Sequence, residues 1–395
     1  MANVNGKKFV NLNMFHLKLS HIKPEMALGL SAVSVIAITA AMFCIIAPVL
    51  SYAEGWCSFF WDSHYISSML SEGHSEELLK GFFLQFFACR WIGVCVMTVF
   101  VFFVSAIAGV IIQKISKKRR WSGAVACIVV AAALNLYVPG WLSGVPVVSM
   151  FSGTNKNVRL MVLSDMVRQR EWTAISDYFE SSHDVKENYN LLFQNCRNMA
   201  LAEQEKLGDQ LFDFPCVDIR SIYQVDIESP QIAALMSDVF YSMGHIAMSQ
   251  RYAFEANEKM GNRSPRLLQR LVQTALIYGN DALADKYMYM LRKTLFYGDW
   301  CDALKNHYSK EYIYAVSNKK ACLFPDNRFS GIKGLDDDLL QVARNTKRTR
   351  QHNVTLQYLG SLYILAGLQE KKDSFLREFY ENNNSQWTIP KYFKK

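Results

Sequence analysis

Hydrophobic positions run unbroken in three stretches near the N-terminus and become periodic over the rest of the chain. Met26–Leu50, Trp91–Ile112 and Trp121–Val138 contain no charged side chain. A helix needs about 20 apolar residues to cross the hydrocarbon core of a bilayer, so the first two stretches span it comfortably and the third is short. They predict transmembrane helices over 26–50, 91–112 and 121–138 within a membrane domain covering 26–140. Asn135 lies inside the third stretch, and Pro139-Gly140 is expected to end it. A basic tail (1–25) precedes this domain, and an apolar linker (141–153) that can skim the membrane surface follows it. From 154 to 395 there is almost no period-2 alternation, and apolar residues recur at helical spacing. The expected fold class is all-α, with N-terminal transmembrane helices followed by an α-solenoid of tetratricopeptide-like hairpins.

Three segments carry the hairpin spacing. Phe240, Met243, Gly244, Ala247 and Ala256 form the first. Leu268, Leu271, Val272, Ala275, Gly279, Ala284, Met288 and Leu291 form the second. Leu356, Leu359, Gly360, Tyr363 and Gly367 form the third, with Lys372 where a small residue is expected. A small residue on one helix lets the next dock against it while large neighbours fill the groove. Val158–Trp172, Thr173–Glu180 and Lys186–Lys206 read as further helices, the last ended by Leu207-Gly208-Asp209. Asp336, Asp337 and Asp338 open a helix expected to close on Arg344, Lys347, Arg348 and Arg350, which suits its macrodipole. Lys293–Phe329 is aromatic-rich and broken by Gly298 and Pro325, an irregular edge.

Charge adds an orientation. Lys7, Lys8, Lys18 and Lys23 precede the first span, and Lys114, Lys117, Lys118, Arg119 and Arg120 separate the second from the third. The segment between the first two spans carries Glu54, Asp62, Glu72, Glu76 and Glu77 against Lys80 and the span-flanking Arg90. By the positive-inside rule both basic segments stay cytoplasmic. The third span then exports the C-terminal domain, and a failure of that span to cross would leave the domain in the cytoplasm. The apolar core of the first span exceeds the about 7–15 residues of a signal peptide, so an uncleaved anchor is expected despite Ser51-Tyr52-Ala53. Beyond residue 149 there are 32 basic against 29 acidic residues, which gives no reason to expect nucleic acid.

Aromatic residues flank the spans: Trp56, Phe59, Phe60 and Trp61, then Phe82, Phe83, Phe86, Phe87 and Trp91. They read as an interfacial belt. Ser105 with Gly109, and Ala37 with Ala41, offer small-residue pairs for helix contact. The nine cysteines show neither CxxC nor metal spacing. Cys44, Cys89, Cys95 and Cys127 read as small apolar fillers, and Cys196, Cys216, Cys301 and Cys322 as buried thiols. In an extracytoplasmic domain Cys196 could pair with Cys216. The sequons at Asn262, Asn353 and Asn383 would matter only in a eukaryotic lumen.

Three stretches resemble a family of uncharacterised multi-pass membrane proteins from Bacteroidota that end in a tetratricopeptide-like domain. These are Leu70-Ser71-Glu72 through Leu84-Gln85-Phe86-Phe87 to Trp91-Ile92-Gly93, Asn188-Tyr189 through Met199-Ala200-Leu201-Ala202 to Leu207-Gly208-Asp209, and Tyr252-Ala253-Phe254-Glu255-Ala256 through Ala284-Asp285-Lys286-Tyr287 to Lys293-Thr294-Leu295-Phe296-Tyr297. The resemblance implies no activity, so no catalytic residue carries over from it. With three spans the chain departs from longer members, which argues against a function needing a large transmembrane cavity.

HExxH, Walker, GxGxxG and GxSxG motifs are all absent. No cofactor and no metal site is expected, and no small-molecule ligand can be named. His245 reads as a packed helix residue. One enzymatic hypothesis rests on Asp62 with His64 in the first outside loop. Polytopic glycosyltransferases using lipid-linked sugars carry a carboxylate there, and a degenerate relative or subunit of one would share this layout. A solvated loop aspartate is the ordinary alternative. The preferred expectation is a bacterial inner-membrane protein, N-terminus cytoplasmic and C-terminal domain periplasmic, whose solenoid binds or scaffolds another protein.

Overall fold

The computed structural model describes residues 24–116, 121–152, 155–181, 190–214, 218–224, 229–306, 309–313, 316, 319–322, 334–347, 349–381 and 388–394. Every regular element among them is helical. The first part of the chain forms α1 (Pro24–Glu54), α2 (Ser63–Ser71), α3 (Ser75–Leu84), α4 (Arg90–Ile115), α5 (Ser122–Ser143) and the short α6 (Val147–Phe151). Next come α7 (Lys156–Gln169), α8 (Trp172–Ser181), α9 (Leu191–Glu203) and the single turn α10 (Leu207–Gln210). Two hairpins follow, α11 (Pro230–Met243) with α12 (Ile246–Lys259) and α13 (Pro265–Ile277) with α14 (Asp281–Arg292). The chain closes with α15 (Tyr297–Lys305), α16 (Leu335–Asn345), α17 (Arg350–Leu365) and α18 (Gln369–Leu376). The basic tail before residue 24, residues 117–120, residues 186–189, Cys216, Arg348, Asn383 and much of 307–333 lie outside the described residues.

The helices group into two compact units. One holds the chain up to Ala47 together with Trp91–Val147, and the other holds Pro48–Arg90 together with everything from Val148 on. Residues 48–90, the connection between the first two spans, thus belong with the C-terminal helices.

Among the described residues three helices are long and apolar enough to cross a membrane, and the first unit holds most of each. Each runs beyond its predicted stretch. Pro139 lies inside α5, which continues to Ser143 and ends at Gly144 with φ +72°. Pro139-Gly140 therefore does not terminate the helix; glycine in the left-handed region does, as a C-cap requires. Ser143 Oγ donates to the Pro139 carbonyl at 2.8 Å in the last turn of the helix. α1 buries Ser31, Val35, Thr39, Phe43 and Ile46, whereas Ala37 and Ala41 face outward, so that small-residue pair makes no helix contact. Ser105 and Gly109 are buried on α4. A Cβ on Gly109 would meet the Gly123 carbonyl of α5 at 2.8 Å, so two backbones approach where only glycine fits. Asn135 donates to Thr39 Oγ1 at 3.0 Å, which links α5 to α1.

In the second unit, antiparallel hairpins stack through small residues. On α11 and α12, Ala233, Ala234, Ser237, Ser249, Ala253 and Ala256 are all buried. Ser237 Oγ donates to the Ser249 carbonyl at 2.8 Å and Ser249 Oγ to the Ser237 carbonyl at 2.8 Å, lacing the two helices together. Gly244 is the turn between them, at φ +91°, and not the small residue inside a first helix that the repeat alignment expects. The real hairpin therefore begins at Ser229, whose hydroxyl caps α11. The second segment keeps its predicted register: Leu268, Leu271, Val272 and Ala275 of α13 and Ala284, Met288 and Leu291 of α14 are buried. In the third, Gly360 lies on α17 as expected, but the ring against it is Phe393 from the C-terminal segment and not a following helix. Asp336, Asp337 and Asp338 open α16, which ends at Asn345; Arg350 starts α17 behind its cap Thr349.

Four of the nine residues of the predicted aromatic belt are core. Trp56, Phe59, Phe60 and Phe87 are buried in the second unit, while Trp61 and Trp91 are exposed. Aromatic residues beside a span are expected at the lipid interface, but here Pro48–Arg90 turns Trp56, Phe59, Phe60 and Phe87 inward against protein.

Candidate functional site

Pro48–Arg90 is tied into the second unit by polar contacts of ordinary length. Ser51 Oγ donates to Asp165 at 2.9 Å, Ser264 Oγ to the Gly55 carbonyl at 2.6 Å and the Trp61 N–H to the Lys293 carbonyl at 2.7 Å. Arg90 meets the buried Asp165 carboxylate at 2.7 Å and Glu171 at 3.1 Å. A cleft of about 450 Å3 in the same unit carries a dense set of charged groups.

Two of its arginines share a helix face. Ser264 caps α13, Pro265 fills the first helical position, and Arg266 and Arg270 follow one turn apart. Side chains four residues apart point the same way, so both reach Asp238 on α11. Arg266 Nη2 donates to one carboxylate oxygen at 2.5 Å and Arg270 Nη2 to the other at 2.7 Å. Arg266 also donates to Ser164 Oγ at 2.7 Å, and the Arg270 guanidinium stands 3.6 Å from the centre of the Tyr241 ring. Burial alone would raise the Asp238 carboxyl, but the two arginines outweigh it and hold it below the usual carboxylate range. One carboxylate between two guanidiniums leaves a positive charge over.

The end of α7 supplies two more cations. Arg168 donates to Glu54 at 2.9 Å and to the Tyr297 oxygen, and the Tyr297 hydroxyl lies 2.8 Å from both Glu54 oxygens. Burial pushes the Tyr297 phenol well above its ordinary value, so it keeps its proton. Arg170 caps α7 in the left-handed region at φ +58°, which turns the chain into α8. Non-glycine residues seldom adopt that conformation, and such strain gathers at functional positions. Glu203, buried on α9, accepts from Ser242 at 2.7 Å and from Arg350 at 3.2 Å. Next to the cleft, the buried Lys319 ammonium stands 4.4 Å from the Tyr241 ring centre and donates to Gln351 Oε1 at 2.5 Å. Burial pulls it down to about 8.

Asp62 and His64, the pair singled out in the sequence, do not form a dyad. The Asp62 carboxylate caps α2, accepting the backbone N–H of His64 at 2.8 Å and of Tyr65 at 3.2 Å, and pairs with Lys293 at 2.5 Å. The Lys293 hydrogen bond holds the Asp62 carboxyl below its ordinary value. Asp62 and His64 both line a second cavity of about 460 Å3, with Phe60, Tyr65, Arg263, Met290 and Lys293. His245 is a buried cap: it accepts the Met248 N–H at 3.3 Å and meets Asp338 at 3.2 Å. Eight cysteines in the described residues are free thiols.

The profile of a family of unknown function, DUF6057, matches residues 22–139 and 134–394. The chain belongs to this family. The two matched DUF6057 segments overlap within α5. No curated protein and no solved structure matches the chain. Arg266 and Arg270 of the DUF6057 cleft were not singled out in the sequence, although their helical spacing is visible there. Their acidic partners carry no such signal: Asp238 lies 28 residues from Arg266, and Glu54 reads as a charge of the outside loop.

Proposed function

We propose that the chain is a three-span component of a bacterial inner membrane whose helical unit, on the periplasmic side, binds or scaffolds another envelope protein. The supporting observation is that Pro48–Arg90 and the chain from Val148 on make up one compact unit. A segment that leaves a folded unit at Arg90 and rejoins it at Val148 begins and ends on the same side of the membrane. In this reading α4 and α5 cross as a pair, and α1 crosses once. The N-terminal lysines and the basic connection between α4 and α5 then share the other side, as cytoplasmic segments do. The stacked hairpins, read as tetratricopeptide-like, offer extended surfaces of the kind used for protein recognition.

Alkaline phosphatase and fluorescent-protein fusions at residue 395 test the topology: an active phosphatase with a dark fluorescent fusion is expected. A photo-crosslinking amino acid at the exposed Phe254 or Tyr289 should give a discrete adduct with an envelope protein. A fluorescent C-terminal fusion, or no discrete adduct at either site, would sink the reading.

A second reading, a degenerate relative or subunit of a lipid-linked-sugar glycosyltransferase, draws support from the cavity beside Asp62. The cap and ion pair already made by that carboxylate favour a structural role.

A further inference from the structure

The outward side of α3 is apolar although its inward side is already packed. Gly81 and Leu84 are the buried positions of this helix. Leu79, Phe82 and Phe86 stand three and then four residues apart, which sets them along the opposite side of the helix and of the turn that continues it. Leu79 is 50% exposed, and Phe82 and Phe86 are half-buried. Residues from far along the chain extend this stripe. Phe82 packs edge-on against Trp61 and Phe86 against Phe296, each with ring centres 6.2 Å apart. The Trp61 backbone N–H donates to the Lys293 carbonyl at 2.7 Å, two residues before Leu295. Trp61 is 54% and Leu295 48% exposed. The charged groups beside them are matched, Lys80 by Glu76 at 3.0 Å and Lys293 by Asp62 at 2.5 Å. An apolar patch assembled from separate segments and left open on a folded unit marks a contact with something other than water.

We infer that this patch, formed by Trp61, Leu79, Phe82, Phe86, Leu295 and Phe296, beds into the headgroup layer of the bilayer. Its tethers to the membrane helices decide the occupant. Phe86 stands five residues before Trp91, so the stretch between them reaches at most about 18 Å. Trp91 lies in the first turn of α4, a helix of 26 residues. That length is about 39 Å, enough to extend past a hydrocarbon core of about 30 Å into the headgroups. On the other side, Trp61 comes seven residues after Glu54, the end of α1. Two short tethers thus hold the patch next to lipid. Apolar faces of surface-lying helices sink about 5–10 Å into the boundary between headgroups and acyl chains. The Trp61 indole, whose N–H donates to Gln85 Oε1 at 3.0 Å, is a side chain suited to that depth. The inference rests on α4 crossing the bilayer, as proposed above, and adds a membrane contact made by the folded unit itself.

The test places a diazirine amino acid singly at Leu79, Leu295, Phe103 or Phe254 of the full-length chain, all exposed positions. Each variant is illuminated in vesicles of phosphatidylethanolamine and phosphatidylglycerol and again in whole cells, and the adducts are identified by mass. Phe103, at mid-length of α4, reports whether that helix meets lipid, and Phe254 on α12 is the comparison for a face in water. Lipid adducts at Leu79 and Leu295 should be roughly tenfold more abundant than at Phe254, the partition expected of an apolar side chain between lipid and water. Lipid adducts at Phe103 with none at Leu79 and Leu295 would overturn the inference and leave the spanning reading standing. No lipid adduct at Phe103 would overturn both. Equal lipid yields at Phe254 would overturn the inference too, because the contact would not be confined to this face. A protein adduct in place of the lipid one at Leu79 and Leu295 in cells would assign the face to a protein partner, against the proposal.

Discussion

Glu54, the last residue of the first apolar helix, forms a 2.9 Å ion pair with Arg168, 114 residues further along the chain. The pair is nearly sealed from solvent, with side-chain exposures of 2% for Glu54 and 11% for Arg168. Removing one member of such a pair strands the other charge and costs about 3–5 kcal/mol, whereas replacing both by apolar residues costs far less. Arg168→Met should therefore lower the urea midpoint of the detergent-solubilised chain sharply. Adding Glu54→Leu should recover most of the loss; a double variant as unstable as the sum of the singles would contradict the pairing.

Lys319 gives stability a pH dependence. Its folded-state value is about 8 against an ordinary 10.5, because burial penalises the ammonium. Between those values the unfolded chain binds the proton more tightly, so the contribution of this group to stability rises as pH increases from about 8 to 10.5 and its penalty is complete below 8. The gain is on the order of a few kcal/mol by linkage. Thermal melts of the wild type at pH 7.5 and at pH 9.5 should show the rise, and Lys319→Met should flatten it; an unchanged slope in the variant would assign the effect elsewhere.

Phe393 fits over Gly208 and Gly360, where a Cβ on either glycine would overlap its ring. The Tyr392 N–H donates to the Gly208 carbonyl at 3.1 Å, fixing the segment in register. Overpacking of this kind costs roughly 1–3 kcal/mol, so Gly360→Ala should lower the melting temperature and expose the C-terminal segment to protease. In a Phe393→Ala background the same substitution should be close to neutral, and an equal loss in both backgrounds would rule the contact out.

Gly109 and Gly123 bring α4 and α5 into backbone contact. Gly109→Val should separate these helices and cost about 1–3 kcal/mol by overpacking, whereas Ala41→Val, on an exposed position of α1, should be neutral. Thermal stability in detergent compares the two, and equal behaviour would contradict the close approach.

Asp62→Asn separates the scaffold reading from the enzymatic one. Asn also caps helices well, so α2 should persist while the ion pair with Lys293 is lost. Cooperative unfolding and the cellular phenotype should both survive. A well-folded variant without the phenotype would favour a chemical role for this carboxylate.

The sequence by itself determined the class of the molecule: three stretches too apolar and too long for water, then helical periodicity to the end. Those are local properties, and the register of α13 and α14 was legible for the same reason. Gly244 shows where local pattern failed, since a glycine four residues from a bulky one looks alike inside a helix and at its cap until φ is known. What only tertiary structure decided was partnership across distance. Residues 48–90 carried the composition of a membrane-edge loop, yet Trp56 and Glu54 are buried with helices more than a hundred residues away. The cleft is of the same kind, because Arg266 and Arg270 acquire their meaning from Asp238, Tyr241 and Lys319. Burial and charge pairing depend on what a residue faces, and spacing along a chain specifies only which way it points.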